Sequence, residues 1–214
     1  MSVAVVILNW NGKSHLETYL PSVIKYSSTA TIYVADNHST DDSIAFLKRE
    51  YPQIRLIINS SNEGFAKGYN DALQHVKEDY YILLNSDVEV SEGWIIPIIN
   101  FMQEKGVSIV QPKILSYREK HKFEYAGAAG GFIDFLGYPF CQGRIFQETE
   151  EDLGQYNEIK EIFWATGACM FIKSATFHEL GGFDNRYFAH MEEIDLCWRA
   201  KNNGHQAVSY THLR

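Results

Sequence analysis

The chain has no run of lysine or arginine beyond isolated pairs, and its net charge is −8 over 214 residues. A protein that tracks a nucleic acid backbone needs the opposite balance, so nucleic acid is not expected as a partner. Any phosphate handled here is expected to be small and bridged by a cation. Cysteine is scarce: Cys141, Cys169 and Cys197 lie far apart and form no C-x-x-C pair. Such an odd, dispersed set fits buried thiols in a reducing compartment better than disulfides or zinc. No stretch approaches the ~20 apolar residues of a membrane helix. The N-terminal "VAVVIL" is too short for a signal peptide and lacks a basic flank. The chain as given therefore reads as cytoplasmic. Glycine-rich phosphate loops are missing too. The first apolar run leads into "NWNGKSH", with a single glycine, and neither G-x-G-x-x-G nor G-x-x-x-x-G-K-[ST] is found. A dinucleotide site and a P-loop lose their support.

What is present is an ordinary globular balance, 45% hydrophobic and 21% charged, in a length that suits one domain with a real core. Aromatics reach 14%, which fits either core and strand positions or carbohydrate-handling faces. Apolar runs alternate with helical patterns: Val3–Leu8, then a helix from about Lys13 to Tyr26; Thr31–Ala35, then "STDDSIAFLKREY" with Ser39, Thr40 and Asp41 as cap candidates; "IRLIIN", then "FAKGYNDALQHV"; and "YYILLN", then "EGWIIPIINFMQEKG" and the strand "VSIVQPKIL". Continuous apolar strands separated by helices predict an α/β protein with a mostly parallel, Rossmann-like sheet flanked by helices. From Tyr117 to Glu161 the alternation gives way to Gly- and aromatic-rich chain, a kind of segment that is usually functional or mobile. Regularity returns with "ATGACMFIKSATFHELGGFD" and a last helix through "MEEIDLCWRAKNNG".

Ligands of such sheets bind at the carboxyl ends of the strands. Four polar strand ends qualify: "NWNG", "DNHSTDD", "NEGFAKGYN" and "NSD". Asp36 can accept hydrogen bonds from a base or ribose, or simply turn the chain. Lys67 can face a diphosphate, or be solvated. Asp87 offers a hard oxygen to Mg2+ or Mn2+, which takes one or two protein carboxylates and fills its shell with phosphate and water. An ordinary acidic turn is the other reading of "LLNSDVEV". In "HMEEIDLCWR", Glu192 and Glu193 stand where any helix welcomes acids, or they form a general base with a raised pKa. Asp195 and Arg199 are spaced as an ion pair, His190 is a further candidate, and Ile194, Cys197 and Trp198 share a face expected to be buried.

In order, "VVILNWNG", "VADNHSTDDS", "NEGFAKGYNDAL", "LLNSDVEV", "ATGACMFIK" and "GGFDNRYFAHMEEIDLCWR" resemble the family 2 glycosyltransferases of GT-A fold, closest to the bacterial rhamnosyltransferase-like branch. The resemblance covers essentially the whole chain. It implies a single GT-A catalytic domain over 1–214, with a nucleotide-sugar-binding half at 1–112 and an acceptor-binding half at 113–214. It implies that Asn9 and Asp36 contact the pyrimidine and ribose with Asn11 and Ser39 nearby, and that Gly64, Lys67 and Asn70 flank the ribose and diphosphate. It also implies that Asp87 binds the divalent cation, Mg2+ or Mn2+. Asn85 and Ser86 belong to the same donor-side motif, where Asn85 replaces a second acid and can bond a ribose hydroxyl or a metal-bound water. Glu193 occupies the place of the family's usual base. Its extra methylene relative to Asp leaves the choice between Glu193 and Glu192 open. Thr166 and Gly167 would line the acceptor side, with Trp198 and Arg199 supporting the helix of the base.

The implied activity is inverting, metal-dependent transfer from a nucleoside-diphosphate sugar, dTDP-rhamnose or a UDP-sugar, to a saccharide or lipid-linked acceptor in envelope polysaccharide synthesis. A sugar-nucleotide-binding module without turnover is the alternative. Relatives continue past the final helix with a strand, a "Y-H-x-G-G"-like segment and often a membrane-associating region. "SYTHLR" does not fit that pattern. The expectation is therefore a foreign terminal sequence, a missing C-terminus, no metal role for His212, and membrane association at the inner cytoplasmic face only through the absent region.

Overall fold

In the computed structural model, which describes residues 1–211, strands from both ends of the chain share one eight-stranded sheet. The elements run β1 (Val3–Asn9), α1 (Lys13–Tyr26), β2 (Thr31–Asp36), α2 (Ser43–Glu50), β3 (Arg55–Ile58), α3 (Phe65–Leu73), β4 (Tyr80–Asn85), α4 (Ile96–Lys105) and β5 (Ile109–Pro112). They continue as β6 (Gly131–Ile133), β7 (Pro139–Cys141), β8 (Arg144–Ile145), β9 (Glu148–Thr149), β10 (Lys160–Ile162), β11 (Cys169–Lys173), α5 (Ser174–Glu179), α6 (Glu192–Asn202) and β12 (Ala207–Tyr210). The sheet order is β3-β2-β1-β4-β11-β5-β12-β10, with β11 antiparallel to both neighbours and β10 antiparallel to β12. The remaining pairings are parallel.

This order explains the continuous apolar strands, because both faces of the sheet are covered. On β1, Val3, Val5 and Ile7 pack toward α1, α2 and α4, through Leu16, Leu20, Phe46 and Ile98. Ala4 and Val6 point the other way, toward Tyr69 and Leu73 of α3 and Leu196 and Cys197 of α6. The period-2 alternation of a strand thus fills two separate cores. All three cysteines are free and buried. The segment read as irregular contains two small hairpins, β6–β7 and β8–β9, whose strands of three and two residues are too short to show a period.

Two local expectations are corrected. α2 starts at Ser43 and not near Ser39, because the polar groups of Ser39, Thr40 and Asp41 bond to β1, β2 and the turn after β1. Trp198 is 46% exposed; the buried side of α6 is formed by Glu192, Leu196, Cys197 and Ala200. Ser209 and Tyr210 of the suspect terminal sequence pair in register with Gln111 and Pro112 in β12, while His212 lies outside the described residues.

Candidate active site

The carboxyl ends of β1, β2 and β4 are adjacent, Asn9 opposite Asp36 and Leu8 opposite Asn85. β11 enters from this same edge, and the Asn85 N–H donates to the Ala168 carbonyl at 3.0 Å. One antiparallel strand therefore brings Thr166 and Gly167 beside the "NSD" turn, over eighty positions away in sequence (Asn85 to Thr166).

The β1–β2 corner is a closed polar network. Asn9 and Asp36 are fully buried; Asn9 Nδ2 donates to Asp36 Oδ2 at 3.0 Å and to Ser39 Oγ at 3.3 Å. The Ser39 N–H donates to Asp36 Oδ1 at 2.8 Å, and the Asn11 N–H to Ser39 Oγ at 2.9 Å. Asn11 sits at φ 49, and its Oδ1 accepts from the Thr40 N–H at 2.7 Å and the Asp41 N–H at 3.2 Å. One acceptor remains open: Asn9 Oδ1 is buried with no partner among the described residues, and a Cβ at Gly12 would collide with it. A second network, unread in the sequence, joins Asn37, Asn59 and Asn62. Asn37 Nδ2 donates to Asn62 Oδ1 at 2.8 Å and Asn59 Nδ2 to Asn37 Oδ1 at 3.0 Å, which fixes the approach to α3.

Along α3 the predicted residues separate. Lys67 Nζ donates to both oxygens of Asp71, at 2.9 and 2.8 Å, which raises its pKa. Asn70 does not face the sheet edge as a free ligand. Its amide is engaged by the chain after α5, for the geometric reason that α3 packs under that loop. Thr166 is likewise occupied: its hydroxyl donates to the Ala126 carbonyl at 2.7 Å, and its N–H donates to the buried Gln111 Oε1 at 2.9 Å. Gln111 is the last residue but one of β5, close enough to the strand end for the rule that found Asn9 and Asp36 to reach it.

Asp87 is exposed and has no hydrogen-bond or ion-pair partner among the described residues. Glu89 nearby is instead paired with Lys120 at 3.1 Å. A cleft of about 670 Å³ opens beside Asp87, lined by Trp94, Ile114, Tyr117, Glu124 and Ala168 among others. Burial pushes the Glu124 carboxyl above its ordinary range, and the charge of Asp87 adds to this. Glu124 was not legible in the sequence, where it sits in the aperiodic segment. Among the described residues no three His, Cys, Asp or Glu side chains gather as a metal cage. One open carboxylate at a strand end still fits Mg2+ or Mn2+, whose shell is normally completed by phosphate oxygens and water.

Glu192 and Glu193 begin α6 from the far side of α3. Glu192 is 4% exposed, and each glutamate has an Oε2 that is buried without a partner among the described residues. Burial, then the neighbouring Glu193, pushes the Glu192 carboxyl up to about 7. Burial also raises Glu193, while the charge of His190 draws it back. His190 and Met191, just before the helix, both sit at φ 74, a left-handed conformation that disfavours side chains with a Cβ by about 1–2 kcal/mol per residue. Arg199 braces this region: Nε donates to Asp195 Oδ2 at 2.8 Å, and its Nη atoms donate to the Leu180 and Gly182 carbonyls at 2.6 and 2.9 Å. Trp198 stacks edge-on against Phe163 at 5.4 Å, on the outside of the helix.

A family model described as glycosyl transferase family 2 matches residues 4–180. N-acetylglucosaminyl-diphospho-decaprenol L-rhamnosyltransferase of Mycobacterium tuberculosis is 25% identical over 95% of this chain and 72% of its own length. The low-salt glycan biosynthesis hexosyltransferase Agl10 of Haloferax volcanii is 23% identical over 93% of this chain and 61% of its own length. Among solved structures, GalNAc-T7 with UDP, GalNAc and Mn2+ superposes with a TM-score of 0.75 at 19% identity, over 98% of this chain and 41% of that one. The mannosyltransferase PcManGT of Pyrobaculum calidifontis, with GDP-Man and Mn2+, gives 0.68 at 15% identity, over 98% and 55%. The chain thus spans less than two thirds of the hexosyltransferase and of both solved proteins. At these identities the structural likeness speaks for the fold alone.

Proposed function

The chain belongs to glycosyl transferase family 2 and has the GT-A fold, and from that premise we propose that it moves a sugar from a nucleoside-diphosphate donor to a saccharide or lipid-linked acceptor, with inversion, in envelope glycan synthesis. It is a glycosyltransferase by family; the donor, acceptor and metal are our reading. The observation that carries it is Asp87, an exposed carboxylate without a partner among the described residues, at the end of β4 where β1, β2 and β11 also present their polar ends.

The β1–β2 corner would take the base and ribose, with Asn9, Asp36 and Ser39 holding its frame from beneath. Asn85, Ser86 and Asp87 would face the diphosphate. A divalent cation, Mg2+ or Mn2+, would be held by Asp87 and, when bound, supplies counter-charge to the departing diphosphate. Glu193 is the better base of the two glutamates: it is half-buried where Glu192 is buried, and it stands where the resemblance places the family's usual base. An ionised Glu193 Oε would take the acceptor hydroxyl's proton as that oxygen attacks in line. Gly167 and the cleft beside Glu124 would take the acceptor, which the names of the rhamnosyltransferase and hexosyltransferase relatives suggest is a glycan precursor. Among the described residues no helix is long and apolar enough to cross a membrane.

The test is release of nucleoside diphosphate from dTDP-rhamnose and a panel of UDP-sugars, with Mn2+ or with EDTA. Release is expected only with metal, and Asp87→Ala should abolish both release and metal-dependent binding of UDP or dTDP. Unchanged nucleotide affinity in that variant would remove the metal assignment.

A further inference from the structure

The "NEGFAKGYN" stretch resembles a donor-side element, yet both of its ends grip the loop that leads into α6. At its N-terminal end, Gly64 sits at φ 96 and the Phe65 N–H donates to the Phe188 carbonyl at 2.6 Å. A Cβ on Gly64 would collide with that same carbonyl oxygen. At the other end, Asn70 Nδ2 donates to the Phe183 carbonyl at 2.8 Å and to Asn185 Oδ1 at 2.7 Å, and Asn70 Oδ1 accepts from the Phe183 N–H at 2.9 Å. Both amide hydrogens and one acceptor position are thereby engaged. Gly182, at φ 74, has no side chain because a Cβ there would strike Asn70 Oδ1. From the opposite side Arg199 holds the Leu180 and Gly182 carbonyls. The loop is therefore pinned at 180–185 and again at Phe188, and the left-handed His190 and Met191 turn it into Glu192 and Glu193.

We infer that Gly64 and Asn70 form a socket for the loop that presents Glu192 and Glu193, which makes Asn70 a positioning residue for proton transfer and not a ligand of the donor diphosphate. The role in proton transfer rests on the reading of Glu193 as base; the socket itself does not. The titratable groups around the pair are His190 from the loop, Tyr69 from α3 and Cys197 from α6, and the charge of Glu193 acts on Glu192. None of these is altered by changing Asn70. Loosening the socket lets water reach two carboxyls that now have buried, unpartnered oxygens, so both titrate closer to their ordinary range.

The test compares Asn70→Ala with Asn185→Ala, which removes one of the three bonds and keeps the fold if the larger change does not. Binding of UDP and dTDP with Mn2+ is measured by calorimetry, the glutamate carboxyls are titrated by 13C NMR, and transfer is followed across pH. Nucleotide affinity should stay within about twofold, the Glu192 and Glu193 titrations should move down, and kcat should fall about tenfold or more at unchanged donor KM. The shift in Asn185→Ala should be smaller and in the same direction. Loss of nucleotide affinity by about tenfold with unmoved carboxyl titrations would make Asn70 a donor ligand and overturn the inference. Unmoved titrations in Asn185→Ala overturn it as well. Moving titrations in a protein that transfers from no donor would uphold the socket and bring down the proposed base.

Discussion

The β1–β2 corner and the start of α6 bury their carboxyl groups in opposite ways. At the β1–β2 corner, Asp36 is fully buried and each of its oxygens has a neutral donor, from Asn9 and from the Ser39 backbone. At the start of α6, Glu192 is almost as deeply buried, yet it and Glu193 each keep an oxygen with no partner among the described residues. Buried polar groups are normally satisfied, and an exception calls for a reason. The difference fits the roles proposed for the two sides. A frame for a base and ribose works best preassembled, whereas a carboxyl that accepts a proton works best when its charged form is not already stabilised. Burial without a partner for that oxygen goes with the raised Glu192 and Glu193 carboxyls.

The sharpest way to break this comparison is to neutralise the unsatisfied side. Glu193→Gln keeps the shape and removes the base. Transfer is expected to fall by about 10²–10⁴-fold, with UDP and dTDP affinity unchanged, as judged by diphosphate release and calorimetry. If transfer survives that change and is lost in Glu192→Gln, the base is Glu192. A second consequence concerns stability. The Glu192 carboxyl lies near 7 in the folded protein, against an ordinary value of 4.5. A carboxyl raised on folding stabilises the fold fully below its unfolded pKa, and that contribution is lost as pH rises through the folded one. The protein should therefore lose stability between about pH 4.5 and 7. Glu192→Gln should raise stability by about 3 kcal/mol near pH 8 and leave it unchanged near pH 4. Urea denaturation at both pH values checks this, and an equal effect at the two would mean that Glu192 is not strained by its charge.

The same contrast explains what could be read from the sequence. The sheet was legible because its strands are buried on both faces and so are continuously apolar; β1, β2 and β4 begin at or within a residue of where their runs of Val, Ile, Leu and Tyr begin. The positions of Asn9, Asp36 and Asn85 at adjacent strand ends, with Asp87 just beyond, were legible because the carboxyl-end rule needs no tertiary information. The socket was not. Asn70 and Phe183 are 113 positions apart, and nothing in the local pattern of α3 says that its polar residue faces a loop and not a ligand. The start of α2 differs for a related reason: Ser39 looks like a helix cap but bonds to β1, β2 and the turn beyond β1, while Asp41 accepts from the Lys13 N–H with one oxygen and from the Ser43 N–H at the actual start of α2 with the other. Glu124 and the two short hairpins lay hidden in strands too brief to carry a period.

The smallest expected effect lies between the two sides, at Lys67, whose ammonium is paired with Asp71 on the exposed flank of α3. As a solvated helix pair four residues apart it contributes little, so Lys67→Ala should leave stability nearly unchanged. Nucleotide affinity decides its role. If Lys67 leaves Asp71 for the diphosphate, Lys67→Ala should weaken UDP binding by about three- to tenfold, and the deficit should shrink as salt is added. Asp71→Ala, which frees the ammonium beforehand, should then bind UDP as well as or slightly better than the unaltered protein. Equal affinity in all three proteins at low salt would leave Lys67 as surface structure. The donor side would then carry its phosphate charge on Asp87 and its cation alone, with no lysine to share it.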